Sequence, residues 1–170
     1  MDEKYWLGEL ERINDGLDYG ELKQNENEEM LANVKVLYGD KDYSHVERVY
    51  KKICQTFKDP IKEEIAILHG LVDDEVMTAD EVLDRYGEFA ERMVSHMTKG
   101  DKTNEGYYGL FAQKSILLNV KIYEVLDMLE HCYSEEYARE VEEHFLPILK
   151  SKEVYAAEYE LIKAAIETCK

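Results

Sequence analysis

The stretch IKEEIAILHGLVDDEVMT, residues 61–78, carries ionisable side chains inside an apolar helical pattern. His69 lies within the apolar stripe, and Asp73 follows it one turn later on the same side of a helix. Buried imidazoles and carboxylates are costly unless a metal, a cation or a hydrogen-bond network satisfies them. The stretch therefore predicts a core helix over residues 61–74 that brings polar groups into the interior. The stripe itself consists of Ile61, Ile65, Leu68 and Val72.

Helical patterns also dominate the rest of the chain, and no stretch alternates long enough to indicate a strand. Asp59 can cap the central helix, and Pro60 suits its first position. Thr78 and Glu81 form a capping box for the next helix, which we expect to end near Gly87. The predicted fold class is all-α. Further helices are predicted over residues 3–14, 26–37, 43–57, 89–97, 107–131 and 152–168, with one from Ser134 that Pro147 bends or ends.

Length and composition predict one compact domain over residues 1–170. Apolar residues make up 45% of the chain, which argues against disorder although 35% of residues are charged. No run of about 20 apolar residues could span a bilayer. The first ten residues, MDEKYWLGEL, lack the features of a signal peptide, so we expect a cytoplasmic protein.

The formal charge of −17 makes duplex nucleic acid an unsuitable partner. Two interpretations stay open, since the charge could serve solubility alone or could attract a basic protein partner. Cys54, Cys132 and Cys169 are odd in number and widely spaced, without a CxxC pair. This pattern favours reduced thiols over a disulfide framework or a zinc site.

Polar residues project from apolar helix faces at three places: at His45, within residues 69–74, and at Glu124 with Asp127. This order resembles the HD superfamily of metal-dependent phosphohydrolases, in which a first histidine, a His-Asp dipeptide and a distant aspartate bind one divalent metal. The chain is most similar to the alarmone hydrolases of that superfamily, which cleave the 3'-pyrophosphate from (p)ppGpp. The segments that carry the resemblance are DYSHVERV at residues 42–49, LHGLVDDEVMTADEVLDRYG at 68–87 and VKIYEVLDML at 120–129. The resemblance implies a single HD-like domain with a motif-bearing core at about residues 31–130 and a helical tail at 131–170.

The resemblance implies roles for eight residues. The metal, Mn²⁺ or another divalent ion, would be held by His45, His69 and Glu124. Two carboxylates would act on the attacking water and the leaving group, namely Asp73 and Asp74. Lys121 would neutralise substrate phosphate, and an aromatic residue precedes its helix in the family. The implied substrate-binding residues are Lys121, Tyr43 and Tyr107.

The chain departs from the family pattern at the dipeptide, where Gly70 replaces the aspartate that ligates the metal. Glu124 replaces the distant aspartate, and Met128 replaces an asparagine. Hard divalent ions prefer several oxygen donors, so the loss of one carboxylate removes both a ligand and a charge. We therefore expect phosphohydrolase activity to be weakened or lost, and one alternative is that no metal is bound.

Simpler interpretations account for the same residues. His69 could be a hydrogen-bonded core histidine, and Asp73 with Asp74 could be solvated. Glu124 and Asp127 lie near Lys121, so an ion pair on a wet helix face could explain them. Three functions stay open: an active phosphohydrolase; an inactive regulator that binds a nucleotide such as (p)ppGpp, or a basic protein through its acidic surface; or an assembly scaffold. The many tyrosines are typical of core packing, and base stacking is the alternative.

Overall fold

The computed structural model describes residues 19–131 and 134–169, with side chains from Asn25 onward. The predicted helix over residues 3–14 and the thiol of Cys132 lie outside the described residues. Within them, every regular element is helical, which confirms the all-α prediction. The elements are α1 (Tyr19–Tyr38), α2 (Ser44–Phe57), α3 (Pro60–Leu68), α4 (Ala79–Met97), α5 (Asn104–Gln113), α6 (Ser115–His131), α7 (Glu135–Glu140) continuing as a π-helix (Val141–Phe145), α8 (Leu146–Lys150), a 3-10 turn (Glu153–Tyr155) and α9 (Ala156–Thr168).

Helix α3 begins as predicted but ends earlier than predicted. The Asp59 carboxylate accepts hydrogen bonds from the backbone N–H groups of Ile61 and Lys62, and Pro60 occupies the first position. The helix stops at Leu68 instead of continuing to residue 74. Tight turns follow, because the carbonyl of Leu71 accepts from two successive N–H groups further along the chain, at 2.9 Å each. The apolar periodicity continues through these turns, which is why the sequence overstates the helix.

The predicted helix start at Thr78 and the predicted break near Gly87 are confirmed, but the predicted unbroken helix over residues 107–131 is wrong. Thr78 and Glu81 form the capping box, and Gly87 breaks the helical backbone inside α4 with φ 89° and ψ 174°. The predicted helix over residues 107–131 is two helices that meet at Lys114, whose backbone is extended. Thr103 caps the first of them by accepting a hydrogen bond from the backbone N–H of Gly106.

The C-terminal part of the described chain follows the sequence less closely. The helix does not end at Pro147, because a π-helical turn precedes the proline and α8 continues through it to Lys150. A wide turn suits this position because proline has no N–H to donate to a regular helix. Cys54 and Cys169 are free thiols, as expected for reduced cysteines.

Helix α3 lies at the centre of the fold, where it packs against α1, α2, α4 and α6. Four consecutive residues of this helix are buried, so it has no exposed face over that length: Ile65, Ala66, Ile67 and Leu68. Its C-terminal end therefore delivers His69 into the interior. No helix among the described residues has both the length and the apolar character required to cross a membrane.

Candidate two-histidine site

Two histidines that are 24 residues apart in the chain face each other at the centre of the fold. His45 is the second residue of α2, and His69 directly follows α3. Their Nε2 atoms are 3.1 Å apart, and their ring centroids are 5.1 Å apart. His69 is only 4% exposed. The predicted convergence of these two imidazoles is therefore present in the structure.

Each imidazole is oriented by a hydrogen bond from its other nitrogen. His69 Nδ1 lies 2.7 Å from the backbone carbonyl of Ala66, which can only accept, so Nδ1 carries the proton. His45 Nδ1 lies 2.7 Å from the Asp127 carboxylate, and it must also be the donor. If both rings are neutral, both Nε2 atoms present lone pairs to the same point, whereas a doubly protonated His45 would donate from Nε2 to His69. Two lone pairs at this separation repel unless a positive species, either a proton or a metal ion, lies between them.

His69 on its own is a weak base in this environment. Burial lowers the pKa of His69, because a charged ring would lack hydration in the interior. The neighbouring His45 lowers this pKa further. The negative charge of Glu124 opposes both effects. The neutral ring keeps its Nε2 lone pair, which is the form that ligates metals.

Asp127 connects His45 to an arginine on the same helix, an arrangement that the sequence did not indicate. Arg48 donates to both carboxylate oxygens of Asp127, from Nε at 2.7 Å and from Nη2 at 2.9 Å. Partial burial opposes ionisation of this carboxyl group, but the hydrogen bonds from Arg48 and His45 outweigh it and lower the pKa of Asp127. The carboxylate is therefore charged when it accepts from His45. The spacing of His45 and Arg48, three residues apart on one helix, was the available signal.

Glu124, the third predicted ligand, is paired with a buried lysine. Lys121 Nζ lies 2.6 Å from Glu124 Oε1 and 2.9 Å from the Tyr107 hydroxyl. Burial by itself favours the neutral forms of both partners, yet their mutual attraction raises the pKa of Lys121 and lowers that of Glu124. The ion pair expected from the spacing thus exists, but it lies in the interior and not on a wet face.

The second oxygen of Glu124 has no such partner. Among the described residues, Glu124 Oε2 is buried without a hydrogen bond, as is the Tyr137 hydroxyl. A positive charge on His69 or His45 also lowers the pKa of Glu124, so these groups share one electrostatic environment. A buried carboxylate oxygen without a donor is an available metal ligand.

The space beside Gly70 is filled by two other side chains. A Cβ atom at this position would lie 2.7 Å from the Tyr38 hydroxyl and 2.7 Å from Asp74 Oδ2. These two atoms are themselves hydrogen-bonded at 2.7 Å, with Tyr38 as the donor. Lys41 holds the same turn by donating to the backbone carbonyls of Asp74 and Glu75. The volume that an aspartate side chain at position 70 would enter is therefore occupied.

The two predicted catalytic carboxylates have different surroundings. Asp73 accepts a hydrogen bond from the backbone N–H of Lys99 at 3.3 Å, and partial loss of hydration raises its pKa, with Glu124 adding to the shift. Asp74 is bound to Tyr38 instead. The adjacent residues therefore diverge, and Asp73 is the carboxylate in electrostatic contact with Glu124 and Lys121.

The predicted substrate-binding residues lie in the interior. Lys121, Tyr107 and Tyr43 are 3%, 2% and 7% exposed. The Tyr107 hydroxyl donates to the carbonyl of Met97 at 2.5 Å, and the Tyr43 hydroxyl donates to the carbonyl of Leu31 at 3.2 Å. The polar atoms of all three residues are thus engaged within the protein, and their proposed contact with a substrate stays a prediction.

Comparisons with protein-family models, with curated proteins and with solved structures found no match for this chain. Within the described part of the chain, no three His, Cys, Asp or Glu side chains are placed so that they could hold a metal ion as they stand. Two of the donors nevertheless fit one. Nitrogens bound to a single ion at about 2.0–2.1 Å lie about 3 Å apart when they are neighbouring ligands at a right angle. The observed 3.1 Å between the two Nε2 atoms is compatible with that separation and is also the length of an ordinary hydrogen bond between the rings.

Proposed function

We propose that this protein is an HD-like domain, related to the alarmone hydrolases, that binds a divalent metal ion and a phosphorylated guanosine nucleotide. In this proposal its phosphohydrolase activity is weakened or lost. The observation that carries the proposal is the approach of His45 and His69, whose Nε2 atoms face each other 3.1 Å apart. A proton shared between the two rings in a hydrogen bond fits the same distance, and the metal analysis below distinguishes the proton from the ion.

The proposed metal ligands are His45, His69 and the unpartnered oxygen of Glu124. Two imidazoles and one carboxylate suit Mn²⁺, Fe²⁺ or Zn²⁺ better than Mg²⁺, which prefers an oxygen shell. The ion would supply Lewis-acid activation of water or phosphate. Gly70 contributes no donor, and Lys121 places a positive charge on the proposed third ligand. Both features weaken binding of a dication, so we expect low metal affinity.

Nucleotide binding rests on the resemblance and on the few cations near the site. Lys35 and Lys41 lie at the C-terminal end of α1, on the side where Tyr38 contacts Asp74. The Lys35 ammonium lies 5.8 Å from the ring centroid of Tyr43. Opposed to this, Lys35 pairs with Glu47, and the chain carries a formal charge of −17. We therefore expect weak nucleotide binding that depends strongly on salt.

The test combines metal analysis with an assay of (p)ppGpp hydrolysis in the presence of Mn²⁺. We expect the parent protein to bind Mn²⁺ or Zn²⁺ and a His69→Ala variant to lose that binding. His96→Gln is the matched control, because the His96 ring contacts Arg92 and Lys114 instead of the two-histidine site. Hydrolysis by the parent should fall far below ordinary enzyme rates of about 1–1000 per second.

Repair of the site requires more than a carboxylate at position 70. We expect the triple variant Gly70→Asp, Asp74→Ala, Tyr38→Phe to gain Mn²⁺ affinity, because it removes both atoms that the new side chain would meet. A parent protein that hydrolyses (p)ppGpp at ordinary rates would overturn the degenerate-site proposal. A parent that binds neither metal nor nucleotide would overturn the proposed function as a whole.

A second candidate is an inactive regulatory or protein-interaction module that uses its acidic surface. The contact between Tyr38 and Asp74 favours this candidate, because the two side chains fill the space beside Gly70. In a working site, the carboxylate of the missing ligand would need that space. This candidate requires stable binding to a basic protein that persists in the His69→Ala variant. Loss of partner binding in that variant would instead connect the partner to the two-histidine site.

A further inference from the structure

We infer that Asp127, held by Arg48, is a positioning residue that fixes the ring orientation and tautomer of His45. The inference rests on the proposed function, because this tautomer of His45 is the one whose Nε2 could ligate the proposed metal ion. The hydrogen-bond partners of the Asp127 carboxylate are His45 and Arg48, so Asp127 would act on the site through His45.

Both oxygens of the Asp127 carboxylate have partners, and His45 shares Oδ2 with Arg48. Oδ2 lies 2.7 Å from His45 Nδ1 and 2.9 Å from Arg48 Nη2, and Oδ1 lies 2.7 Å from Arg48 Nε. The guanidinium thus grips both oxygens in the two-point arrangement that arginine makes with carboxylates. This grip sets the plane of the carboxylate, and the plane sets the direction from which the imidazole N–H must approach.

The orientation of His45 has a chemical consequence at its other nitrogen. Because Nδ1 donates to Asp127, a neutral His45 ring must leave Nε2 unprotonated, facing the Nε2 atom of His69. Without the carboxylate, the proton could move to Nε2 and donate to His69, which would close the site by an ordinary hydrogen bond. Carboxylates behind ligating histidines are a general device for metal sites, and their loss costs 10–100-fold in affinity.

The neighbouring groups are consistent with a local role. His131 Nδ1 also approaches Asp127, at 3.4 Å from Oδ1, but its side chain is 44% exposed and it makes a 3.1 Å contact with the backbone carbonyl of the same residue. Glu130 lies on the same helix and is exposed. Since Glu130 carries the same charge without these contacts, it provides a matched control.

The test has two measurements on the 170-residue chain. The first is nitrogen NMR of the histidine rings at about pH 8.5, above the range in which an unperturbed imidazole titrates. We expect His45 to carry its proton on Nδ1 in the parent and in Glu130→Gln, and to shift toward the Nε2 form in Asp127→Ala. The second is Co²⁺ titration followed by visible absorption, in which Asp127→Asn should bind 10–100-fold more weakly than the parent. Glu130→Gln should match the parent.

The two measurements separate the inference from the proposed function. If the tautomer shifts but no protein binds Co²⁺, the positioning role stands and the metal-binding proposal fails. If the parent binds Co²⁺ and Asp127→Asn binds it equally with the same spectrum, the inference is overturned while metal binding stands. Arg48→Lys is the second variant, to be used if the Asp127 variants fail to fold. It keeps the positive charge but loses the two-point contact with Asp127, so we expect a smaller change in both the tautomer and the Co²⁺ affinity. An unchanged tautomer in Arg48→Lys and in any folded Asp127 variant also overturns the inference.

Discussion

Because Gly70 has no side chain, two neighbouring side chains fill the space beside it. Tyr38 comes from α1 and Asp74 from the turn after α3, and they meet in the space beside Gly70. We expect Gly70→Asp alone to lower the free energy of unfolding by about 1–3 kcal/mol, because the new Cβ would overpack this contact. Urea unfolding of the variant beside the parent measures the change.

The control for this substitution is Gly109→Asp. No atom lies within 4 Å of a Cβ placed at Gly109, and its backbone φ is negative. We expect a change below about 1 kcal/mol there, set by helix propensity alone. Equal costs at positions 70 and 109 would show that Tyr38 and Asp74 yield freely, and the account of a filled site would be wrong.

The buried pair of Lys121 and Glu124 gives a second expectation at the scale of single residues. Their side chains are 4% and 14% exposed. We expect Lys121→Met to destabilise the protein by about 3–5 kcal/mol, because it leaves a carboxylate buried without its counter-charge. The double variant with Glu124→Leu should recover most of this loss. The control is Arg92→Met in the exposed pair with Glu88, where the cost should stay below about 1 kcal/mol.

The same pair should also shape the pH dependence of stability. The pKa of Glu124 lies below its ordinary value of 4.5, so its contribution is present above pH 4.5 and is lost as the pH falls through the lowered value. The pKa of Lys121 lies above its ordinary value of 10.5, so its contribution is lost only as the pH rises beyond 10.5. Chemical unfolding across this range should show a steeper acid decline in the parent than in the double variant. Parallel curves would count against the assigned ion pair.

The sequence pointed to the two histidines that face each other but not to their supports. Helical spacing placed His45 and His69 on apolar faces, and the structure brings their Nε2 atoms within 3.1 Å. Their role with Glu124 as metal ligands stays a prediction. The sequence indicated Asp127 only as a possible partner of Lys121. It could not show that Lys121 pairs with Glu124 and that Asp127 contacts His45 and Arg48 instead. Tyr38 escaped notice altogether, because its contact with position 70 depends on how α1 packs against α3.

At the scale of elements, Gly87 separates two helical stretches within α4, at the position where the sequence predicted a helix to end. Its φ of 89° with ψ of 174° belongs to a region that is essentially restricted to glycine. No atom lies within 4 Å of a Cβ at this position, so a substitution would meet backbone strain alone. We expect Gly87→Ala to cost about 1–3 kcal/mol in thermal or urea unfolding.

The paired control for Gly87 is again Gly109, in the regular helix α5. We expect Gly109→Ala to stabilise the protein by about 0.5–1 kcal/mol through helix propensity. Stabilisation at both positions would mean that the backbone at residue 87 can become helical, and that α4 is not obliged to bend there.

The boundaries of the helices show which local signals are decisive. Asp59 with Pro60, the box at Thr78 and the glycine at position 87 act through backbone hydrogen bonds or sterics, and these boundaries were predicted correctly. The end of α3 at Leu68 and the break at Lys114 carry no such signal. Apolar periodicity continues past both, because the turns after α3 still bury Leu71 and the start of α6 still buries Leu117. Periodicity reports burial, and burial does not require a continuous helix.

At the scale of the whole molecule, charge is distributed unevenly between interior and surface. Two charge pairs at the site are compensated locally, namely Lys121–Glu124 and Arg48–Asp127. Among the described residues, the buried acidic residues are Glu63 and Asp127, so most of the described acidic side chains are partly or fully exposed in a chain of formal charge −17. Such a surface repels itself in the folded state and offers a long-range attraction to a basic partner.

We expect this self-repulsion to make the protein more stable as salt is added. Between about 0.01 M and 0.1 M salt, the Debye length falls from about 30 Å to about 10 Å, so repulsion between exposed carboxylates is screened. The free energy of unfolding in urea should rise over this range, equally with NaCl and KCl. The cost of Lys121→Met should change little over the same range, because a buried pair is screened much less. A flat salt profile would mean that exposed pairs such as Lys35–Glu47 already neutralise the surface locally, and the long-range attraction proposed for a basic partner would lose its physical basis.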